Sequence, residues 1–307
     1  MSQLSIQTSG LSKSFNGRKV VDSLSVEINK GEIFGFLGPN GAGKTTSIKM
    51  ITGLLKEDEG QVWINGQKPD LAVSRQKVGL CPQDIIVWNQ LTCKEQLLFI
   101  ASMYGVSAKT ARHRADVLLE KLGLSAKSKS LARTLSGGML RRLNLLMALM
   151  HDPEILILDE PEAGLDPQSR VLVRDFVLSL SKTKTVIFTT HNMDEAERVC
   201  DRIAIIDSGR LLVTDKPDNL KRNLGQGDVL EIRFSGESPN LQGFDFLDKI
   251  PLMKDQTLYI RAFGIIEKIE RILAECARQQ ISIQSLHLRE NSLEDVFISL
   301  TGKTLRD

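Results

Sequence analysis

The chain has 307 residues, of which 41% are hydrophobic and 25% are charged. This composition is typical of a globular protein with one large domain or two smaller ones, and it excludes collagen-like, disordered and disulfide-scaffold proteins. The 40 Lys and Arg residues against 38 Asp and Glu leave a net charge of +2, which lacks the strongly basic character of nucleic-acid-binding proteins, so we expect no nucleic-acid partner.

Short apolar runs alternate with segments of helical period in the first part of the chain, a pattern typical of a mainly parallel sheet covered by helices. The α/β core is predicted to contain the buried strands Ile33–Leu37, Ile155–Leu158, Thr185–Phe188 and Ile203–Ile206. Near the N-terminus, Leu24–Ile28 alternates with period two, and Val62–Ile64 ends at a turn of Asn65 and Gly66. These two segments predict an antiparallel piece beside the parallel sheet.

Apolar residues recur at helical spacing between Gln83 and His151, and this stretch predicts a helical insert in the core. The pattern changes after Gly227. From there the sequence predicts three strands, at Leu230–Phe234, Leu258–Ala262 and Ile281–Leu288. It also predicts two helices, at Ile266–Cys276 and Leu293–Leu300. We therefore predict two domains, one at residues 1–222 and a small α+β accessory domain at residues 228–307.

A glycine-rich loop directly follows the strand Ile33–Leu37 and matches the G-x-x-x-x-G-K-[ST] pattern. Its residues are Gly38, Pro39, Asn40, Gly41, Ala42, Gly43, Lys44, Thr45 and Thr46. Glycines let such a loop turn tightly and aim backbone N–H groups at phosphate oxygens, so the pattern predicts a phosphate cradle rather than a purely structural turn. We expect Lys44 to reach the β and γ phosphates of a nucleotide, and Thr45 to offer its hydroxyl to Mg²⁺.

Two carboxylates, Asp159 and Glu160, come directly after the strand Ile155–Leu158. We predict that Asp159 holds Mg²⁺ from the end of this strand. Glu160 is predicted to orient the water that attacks the γ-phosphate and to accept its proton. Taken alone, the pair is more typical of a strand that ends in a solvated turn, and only the glycine-rich loop favours the catalytic interpretation.

A third motif is Leu135-Ser136-Gly137-Gly138-Met139, in which Ser136 stands in an N-cap position before an amphipathic helix. Locally this is a capped helix start, and a helix N-terminus is also an anion site. With Gln83, Gly164-Leu165-Asp166 and His191, these motifs occur in the order typical of ABC-transporter ATPase subunits. The chain resembles this family over roughly residues 4–220.

The resemblance implies a P-loop NTPase (RecA-like) core with an antiparallel β piece and a helical subdomain. It also implies a homodimer, or a pair with a related subunit, that closes on two ATP molecules. Each ATP would lie between the loop Gly38–Thr46 of one subunit and Ser136, Gly137 and Gly138 of the other. Phe15 would stack on adenine, and Asp166 would lie in a loop that crosses the dimer interface.

The resemblance further implies a hydrolytic set of Glu160, His191, Lys44 and Gln83, and Mg²⁺ ligands from Thr45, Gln83 and Asp159. His191 would hold the γ-phosphate and keep Glu160 in line. Gln83 would contact Mg²⁺ or the water and link the site to an integral membrane permease. Trp88 and Leu91 follow Gln83 closely and are candidates for the surface that receives this permease.

An exporter is favoured within the family. Met139 followed by Arg141 and Arg142 resembles the drug- and antibiotic-exporter subgroup, and Ser292–Gly302 resembles the tail of daunorubicin-resistance-type exporter ATPases. That tail would either close the small domain or stabilise a dimer. Glu162 stands where Thr or Ser is common in the family, and we expect it to face solvent or the partner subunit. The alternatives are an importer ATPase, which usually has an OB-type tail, and a soluble ABC-family regulator.

The remaining features concern the compartment. The cysteines lie far apart in the sequence, at positions 81, 93, 200 and 276, which argues against a zinc site and a disulfide framework and predicts small buried side chains in a reducing cytosol. No signal peptide and no spanning helix are predicted. With a permease partner, the expected location is the cytoplasmic face of the inner or plasma membrane, with peripheral attachment. The transported substrate is not encoded in these motifs.

Overall fold

The computed structural model describes residues 3–68, 76–225, 227–236, 238–247 and 250–302. The chain divides into two compact units, Met1–Lys216 and Pro217–Asp307. The predicted domain boundary at residue 222 lies inside a helix of the second unit, Pro217–Leu224.

The first unit is built on a sheet of six strands, and five of them run parallel. In spatial order they are β10 (Arg210–Asp215), β9 (Arg202–Asp207), β4 (Ile33–Leu37), β8 (Thr185–Thr190), β7 (Ile155–Asp159) and β6 (Val78–Cys81). β10 pairs antiparallel with β9 at the edge. Every residue of β4, β7 and β8 is buried, as is typical of a parallel sheet that is covered on both faces. The four buried strands of the prediction are therefore confirmed.

A second sheet of the first unit is antiparallel, as expected, and contains β1 (Leu4–Phe15), β2 (Arg18–Leu24), β3 (Glu27–Asn29) and β5 (Glu59–Ile64). The predicted strand Leu24–Ile28 is wrong, since the chain is interrupted between β2 and β3. The hydroxyl of Thr8 donates to the Leu24 carbonyl at 3.2 Å and accepts from the Val26 N–H at 2.9 Å. A side chain thus replaces the backbone partners that one continuous strand would need.

The predicted helical insert is present between β6 and β7 as α2 (Cys93–Met103), α3 (Ala108–Lys121) and α4 (Gly137–Met147). The sequence analysis missed β6, a strand of only four residues that contains Gly79. A Cβ at Gly79 would lie 2.1 Å from the carbonyl oxygen of Ala148, so this strand packs too closely against the chain after α4 for any other residue. The described residues of the unit also contain α1 (Lys44–Ile51), α5 (Pro167–Leu180) and α6 (Met193–Val199).

The second unit contains an antiparallel sheet with the order β12 (Leu252–Lys254), β13 (Thr257–Ala262), β11 (Asp228–Ser235) and β14 (Ser282–Arg289). Its helices are α7 (Pro217–Leu224), α8 (Ile265–Arg278) and α9 (Leu293–Thr301). Ile272 and Cys276 of α8 join Leu230, Ile232 and Ile260 of the sheet in one apolar core. This is the α+β arrangement that the alternating and helical patterns predict.

The structure also bears on the expectations about the cysteines and about membrane-spanning helices. All four cysteines are free and buried, so they act as small apolar side chains. Among the helices of the described ranges, none has the length and apolar character that crossing a membrane requires.

Candidate active site

The glycine-rich loop connects the buried strand β4 to α1 and is shaped by its glycines. Gly41 and Gly43 have φ values of +80° and +99°, in the left-handed region that residues with a Cβ rarely adopt. Gly38 is required for a different reason, because a Cβ there would lie 2.1 Å from the carbonyl oxygen of Ile206. The loop therefore wraps closely around the N-terminus of α1, where free N–H groups attract phosphate.

Lys44 lies inside this loop with only 5% of its surface exposed. Its ammonium donates to the carbonyl oxygens of Gly38 at 2.7 Å and Pro39 at 3.0 Å, and it lies 3.6 Å from Glu160 Oε1. Burial lowers the pKa of Lys44, and the nearby carboxylates of Glu160 and Asp159 oppose that shift. A buried cation held by two carbonyls is well placed to meet phosphate oxygens.

Asp159 ends β7 with both carboxylate oxygens engaged by hydroxyls. Thr45 donates to Oδ2 at 2.9 Å, and Thr189, from the neighbouring strand β8, donates to Oδ1 at 2.6 Å. The sequence analysis expects Thr45 and Asp159 at one metal site, and the structure brings them together although 114 residues separate them. Hydroxyl and carboxylate oxygens are ligands that suit Mg²⁺.

Glu160 is 8% exposed, and its carboxylate lies at the centre of the site. Gln83 donates to Oε2 at 3.3 Å, and His191 Nδ1 lies 3.1 Å from Oε1. Its own φ is 48°, an uncommon conformation for a non-glycine residue, and its N–H donates to the hydroxyl of Thr189 at 3.0 Å. Glu160, His191, Lys44 and Gln83, which the family resemblance groups as a hydrolytic set, thus meet within one chain.

Ser136, Gly137 and Gly138 lie elsewhere on the same unit. Ser136 caps α4 by accepting from the Met139 N–H at 3.3 Å, as the sequence predicts. Asp166 caps the neighbouring helix α5, and its carboxylate would lie 3.7 Å from a Cβ on Gly138. No hydrogen bond within the described ranges joins Ser136 to the glycine-rich loop of its own chain.

Phe15 ends β1 with 44% of its side chain exposed, and the Lys13 ammonium lies 5.8 Å from the centre of its ring. An exposed ring of this kind offers a face on which a base can stack.

The chain is similar to known proteins. A family model described as ABC transporter matches residues 21–163. The linearmycin resistance ATP-binding protein LnrL of Bacillus subtilis (strain 168) is 38% identical, over 98% of this chain and 100% of that protein. The chain belongs to the ABC transporter family.

Other relatives of this ABC ATPase are also named as export or resistance ATP-binding proteins. The Nod factor export ATP-binding protein I of Paraburkholderia xenovorans (strain LB400) is 37% identical over 100% of both chains. The daunorubicin/doxorubicin resistance ATP-binding protein DrrA of Streptomyces peucetius is 36% identical over 98% of this chain and 94% of its own. A solved ATP binding subunit of an ABC transporter matches with a TM-score of 0.65 and 29% identity, over 71% of this chain and 92% of that chain. The predictions of an ATP-using ABC ATPase of the exporter type, with a P-loop NTPase fold, are thereby confirmed.

The expectation for Glu162 in this ABC ATPase is wrong. The side chain does not face solvent, since it is 8% exposed and buried within its own chain. Burial, and then the neighbouring carboxylate of Glu195, raise the pKa of Glu162 to about 8, and Arg170 and Arg174 oppose that shift. The sequence could not reveal this pairing, because Glu162 lies in a turn after β7 and Glu195 lies in α6, far along the chain.

Arg141 of the ABC ATPase is a residue to which the sequence analysis assigned no role. It lies in α4, is 3% exposed, and donates hydrogen bonds to carbonyl oxygens on both sides of the catalytic site. The helical pattern of the sequence could not point to it, because Arg141 projects opposite Leu143 and Leu146 in the helix, on the side where an arginine is expected to be exposed.

Proposed function

We propose that this ABC exporter ATPase drives a partner membrane permease by ATP binding and hydrolysis. The observation that carries the proposal is the convergence of Lys44, Gln83 and His191 on the carboxylate of Glu160. A carboxylate held beside a phosphate-binding loop is the arrangement that water attack on a γ-phosphate requires. The export and resistance names of the relatives support the direction of transport.

In this proposal Glu160 orients the attacking water and accepts its proton. Gln83 and His191 contact different oxygens of the carboxylate and so restrict its rotation. Lys44 turns from the loop carbonyls to the β and γ phosphates, whose charge binds an ammonium more strongly. Positioning and charge stabilisation of this type supply most of the rate enhancement in phosphoryl transfer.

Mg²⁺ is the proposed cofactor, and the residues at the end of β7 fit it. The hydroxyl of Thr45 and the carboxylate of Asp159 lie 2.9 Å apart, and Gln83 would add an amide oxygen. Mg²⁺ favours such a small set of oxygen ligands together with substrate phosphates. When bound, it neutralises charge that develops on the phosphates.

We propose that two copies, or one copy and a related subunit, complete each ATP site together. Ser136 and Gly137 are exposed, and in the described ranges no hydrogen bond joins Ser136 to the loop of its own chain. Free N–H groups at the start of α4 could therefore bind the γ-phosphate held by a partner's loop, while Phe15 stacks on the adenine.

The proposed permease contact is an apolar groove of about 720 Å³ in the first unit, and some of its lining residues are close to Gln83 in the sequence. Ile86, Trp88 and Met103 line it and are exposed, whereas Leu91, the second sequence candidate, is not among its lining residues. A partner helix with apolar side chains would fit this groove. Attachment there would place the ATPase peripherally at the cytoplasmic face of the membrane.

We assign nucleotide binding and hydrolysis to the first unit and an accessory role to the second. All proposed site residues lie before Lys216, which supports this division.

The experiment that tests the proposal measures ATP binding and phosphate release of purified variants with MgATP. Glu160→Gln is expected to bind ATP like the wild type but to lower kcat by at least about 100-fold, since it removes the base. Lys44→Ala is expected to lose ATP binding, because it removes the cation of the phosphate cradle. Glu154→Gln, which alters an exposed carboxylate just before β7, is the control and is expected to retain the wild-type rate. A Glu160→Gln variant with wild-type turnover would refute the assignment of the base.

A further inference from the structure

The guanidinium of Arg141 connects two chain segments that both contribute to the proposed active site. Nη1 donates to the carbonyl oxygens of Pro82, at 3.1 Å, and of Gln83. Nη2 donates to the carbonyl oxygens of Asp159, at 3.4 Å, and of Glu160. Each nitrogen therefore holds one segment, and the planar guanidinium keeps the two segments at a set distance from each other.

Three of these four carbonyls belong to Gln83, Asp159 and Glu160, whose side chains are in the proposed active site. Gln83 and Glu160 are themselves joined side chain to side chain at 3.3 Å. A shift of either backbone segment would change that contact and turn the Glu160 carboxylate. Arg141 thus contacts the site through its backbone carbonyls.

A purely structural role explains these contacts poorly. A fully buried arginine is costly to desolvate, and an apolar side chain of similar size is often equally stable in such a place. In the described part of the chain the partners of Arg141 are carbonyl oxygens, and its Nε has no hydrogen-bond partner. The contacts that the side chain does make are all at the ends of β6 and β7, next to the catalytic groups.

We propose that Arg141 is a positioning residue for ATP hydrolysis, which fixes the backbones of Gln83 and Glu160 relative to α4. Because α4 begins at the Ser136 cap, the same side chain links the segment that would contact a partner's ATP to the base that hydrolyses the chain's own ATP. Movement of α4 on dimer closure would then reach Glu160 directly. This inference rests on the proposed function of Glu160 and Ser136.

The test uses Arg141→Lys and Arg141→Met in the full chain. A lysine keeps the charge but offers one compact ammonium, which cannot hold both carbonyl pairs in the fork geometry. Both variants are expected to lower kcat by about 10- to 100-fold, as misplacement of a catalytic group does, while the Kd for ATP stays within about two-fold. Arg114→Lys is the matched control, because Arg114 also donates to a backbone carbonyl, that of Met150 at 2.7 Å, away from the site.

A second measurement separates positioning from loss of structure. In a Glu160→Gln background, Arg141→Lys is expected to change the residual single-turnover rate by less than about two-fold, because a residue that acts through Glu160 has nothing left to position. Equal loss of rate in both backgrounds, or wild-type kcat in Arg141→Lys, would overturn the inference. If Glu160→Gln itself keeps full turnover, the proposed base is wrong, and that result is distinguishable because it does not involve Arg141.

Discussion

Glu160 shows how one residue can carry both strain and function. Its left-handed φ of 48° costs energy for a side chain with a Cβ, and the surrounding hydrogen bonds from Gln83 and to Thr189 hold it in place. In this conformation the carboxylate of Glu160 lies close to Lys44 and His191. Asp159, one residue earlier, keeps the strand conformation and faces Thr45 instead.

Glu162 provides a prediction about pH. Its pKa of about 8 lies above the ordinary value of 4.5, so the folded chain keeps this proton at neutral pH while the unfolded chain releases it. The free energy of unfolding should therefore fall by up to about 1.4 kcal/mol per pH unit between these two values, and no further above the higher one. The groups that face Glu162 are Glu195, Arg170, Arg174 and the buried thiol of Cys200.

The variant Glu162→Gln replaces the titrating carboxyl with an amide. It is therefore expected to weaken the dependence of the free energy of unfolding on pH. Its thermal midpoint relative to the wild type should rise from pH 5.5 to pH 8.5, measured by circular dichroism. Glu120→Gln, at an exposed position of α3, serves as the control and should follow the wild type at every pH. A constant difference between Glu162→Gln and the wild type across this range would contradict the raised pKa.

At the scale of elements, α9 depends on one carboxylate. Asp295 forms a capping box with Ser292 and accepts from Arg289 at 2.7 Å and from Arg261 at 3.2 Å. It therefore ties α9 to β13 and β14 of the second unit. Burial by itself would raise the pKa of Asp295, but the hydrogen bonds from Arg289 and Ser292 outweigh it and hold the pKa well below the usual range. Stability from this group is accordingly present above the ordinary Asp pKa and is lost as the pH falls below it.

Removal of this carboxylate should loosen the second unit. Asp295→Ala is expected to destabilise it by about 1–3 kcal/mol, a value below that of a fully buried pair because both arginines are partly exposed. Hydrogen–deuterium exchange of peptides from β14 and α9 should become faster. Trp63 and Trp88 both lie in the first unit, so tryptophan fluorescence monitors that unit separately. Glu294→Ala, at the exposed neighbouring position, is the control, and equal exchange in the two variants would refute the role of Asp295.

At the scale of the whole molecule, the proposed dimer makes a prediction at Gly137. Nothing lies within 4 Å of a Cβ built there, and the residue opens α4, where an acidic side chain favours the helix. Gly137→Asp should therefore fold as stably as the wild type. It should nevertheless prevent the ATP-dependent dimer, because its carboxylate would repel the γ-phosphate bound to the partner.

The measurement is light scattering after size-exclusion chromatography, with MgATP and in a Glu160→Gln background that preserves bound ATP. We expect a dimer for Glu160→Gln alone and a monomer when Gly137→Asp is added. Ser107→Asp places an acid at the N-terminus of a different helix, α3, and should leave the dimer intact. A dimer of the Gly137→Asp variant, or a monomer of Glu160→Gln with its permease present, would refute the shared ATP sites.

The sequence by itself determined the features that depend on neighbours along the chain. The strand Ile33–Leu37, its glycine-rich loop and α1 are contiguous, so spacing and residue type were sufficient to predict them. The same holds for the Ser136 cap and for the alternating strands of the second unit. One prediction failed because of a partner distant in sequence, namely Thr8, whose side chain interrupts the predicted strand Leu24–Ile28.

The family resemblance grouped distant residues into one site, but only the tertiary structure decided how these groups meet. The strand order puts β4, β8, β7 and β6 side by side, and their carboxyl ends bring Glu160 next to Gln83 and His191. It also buries Glu162 beside Glu195 and places the carbonyls of Gln83 and Glu160 around Arg141. Local pattern encodes which face of an element is apolar, but which buried polar group meets which partner follows from packing, because those contacts form only when the sheet and its helices are assembled.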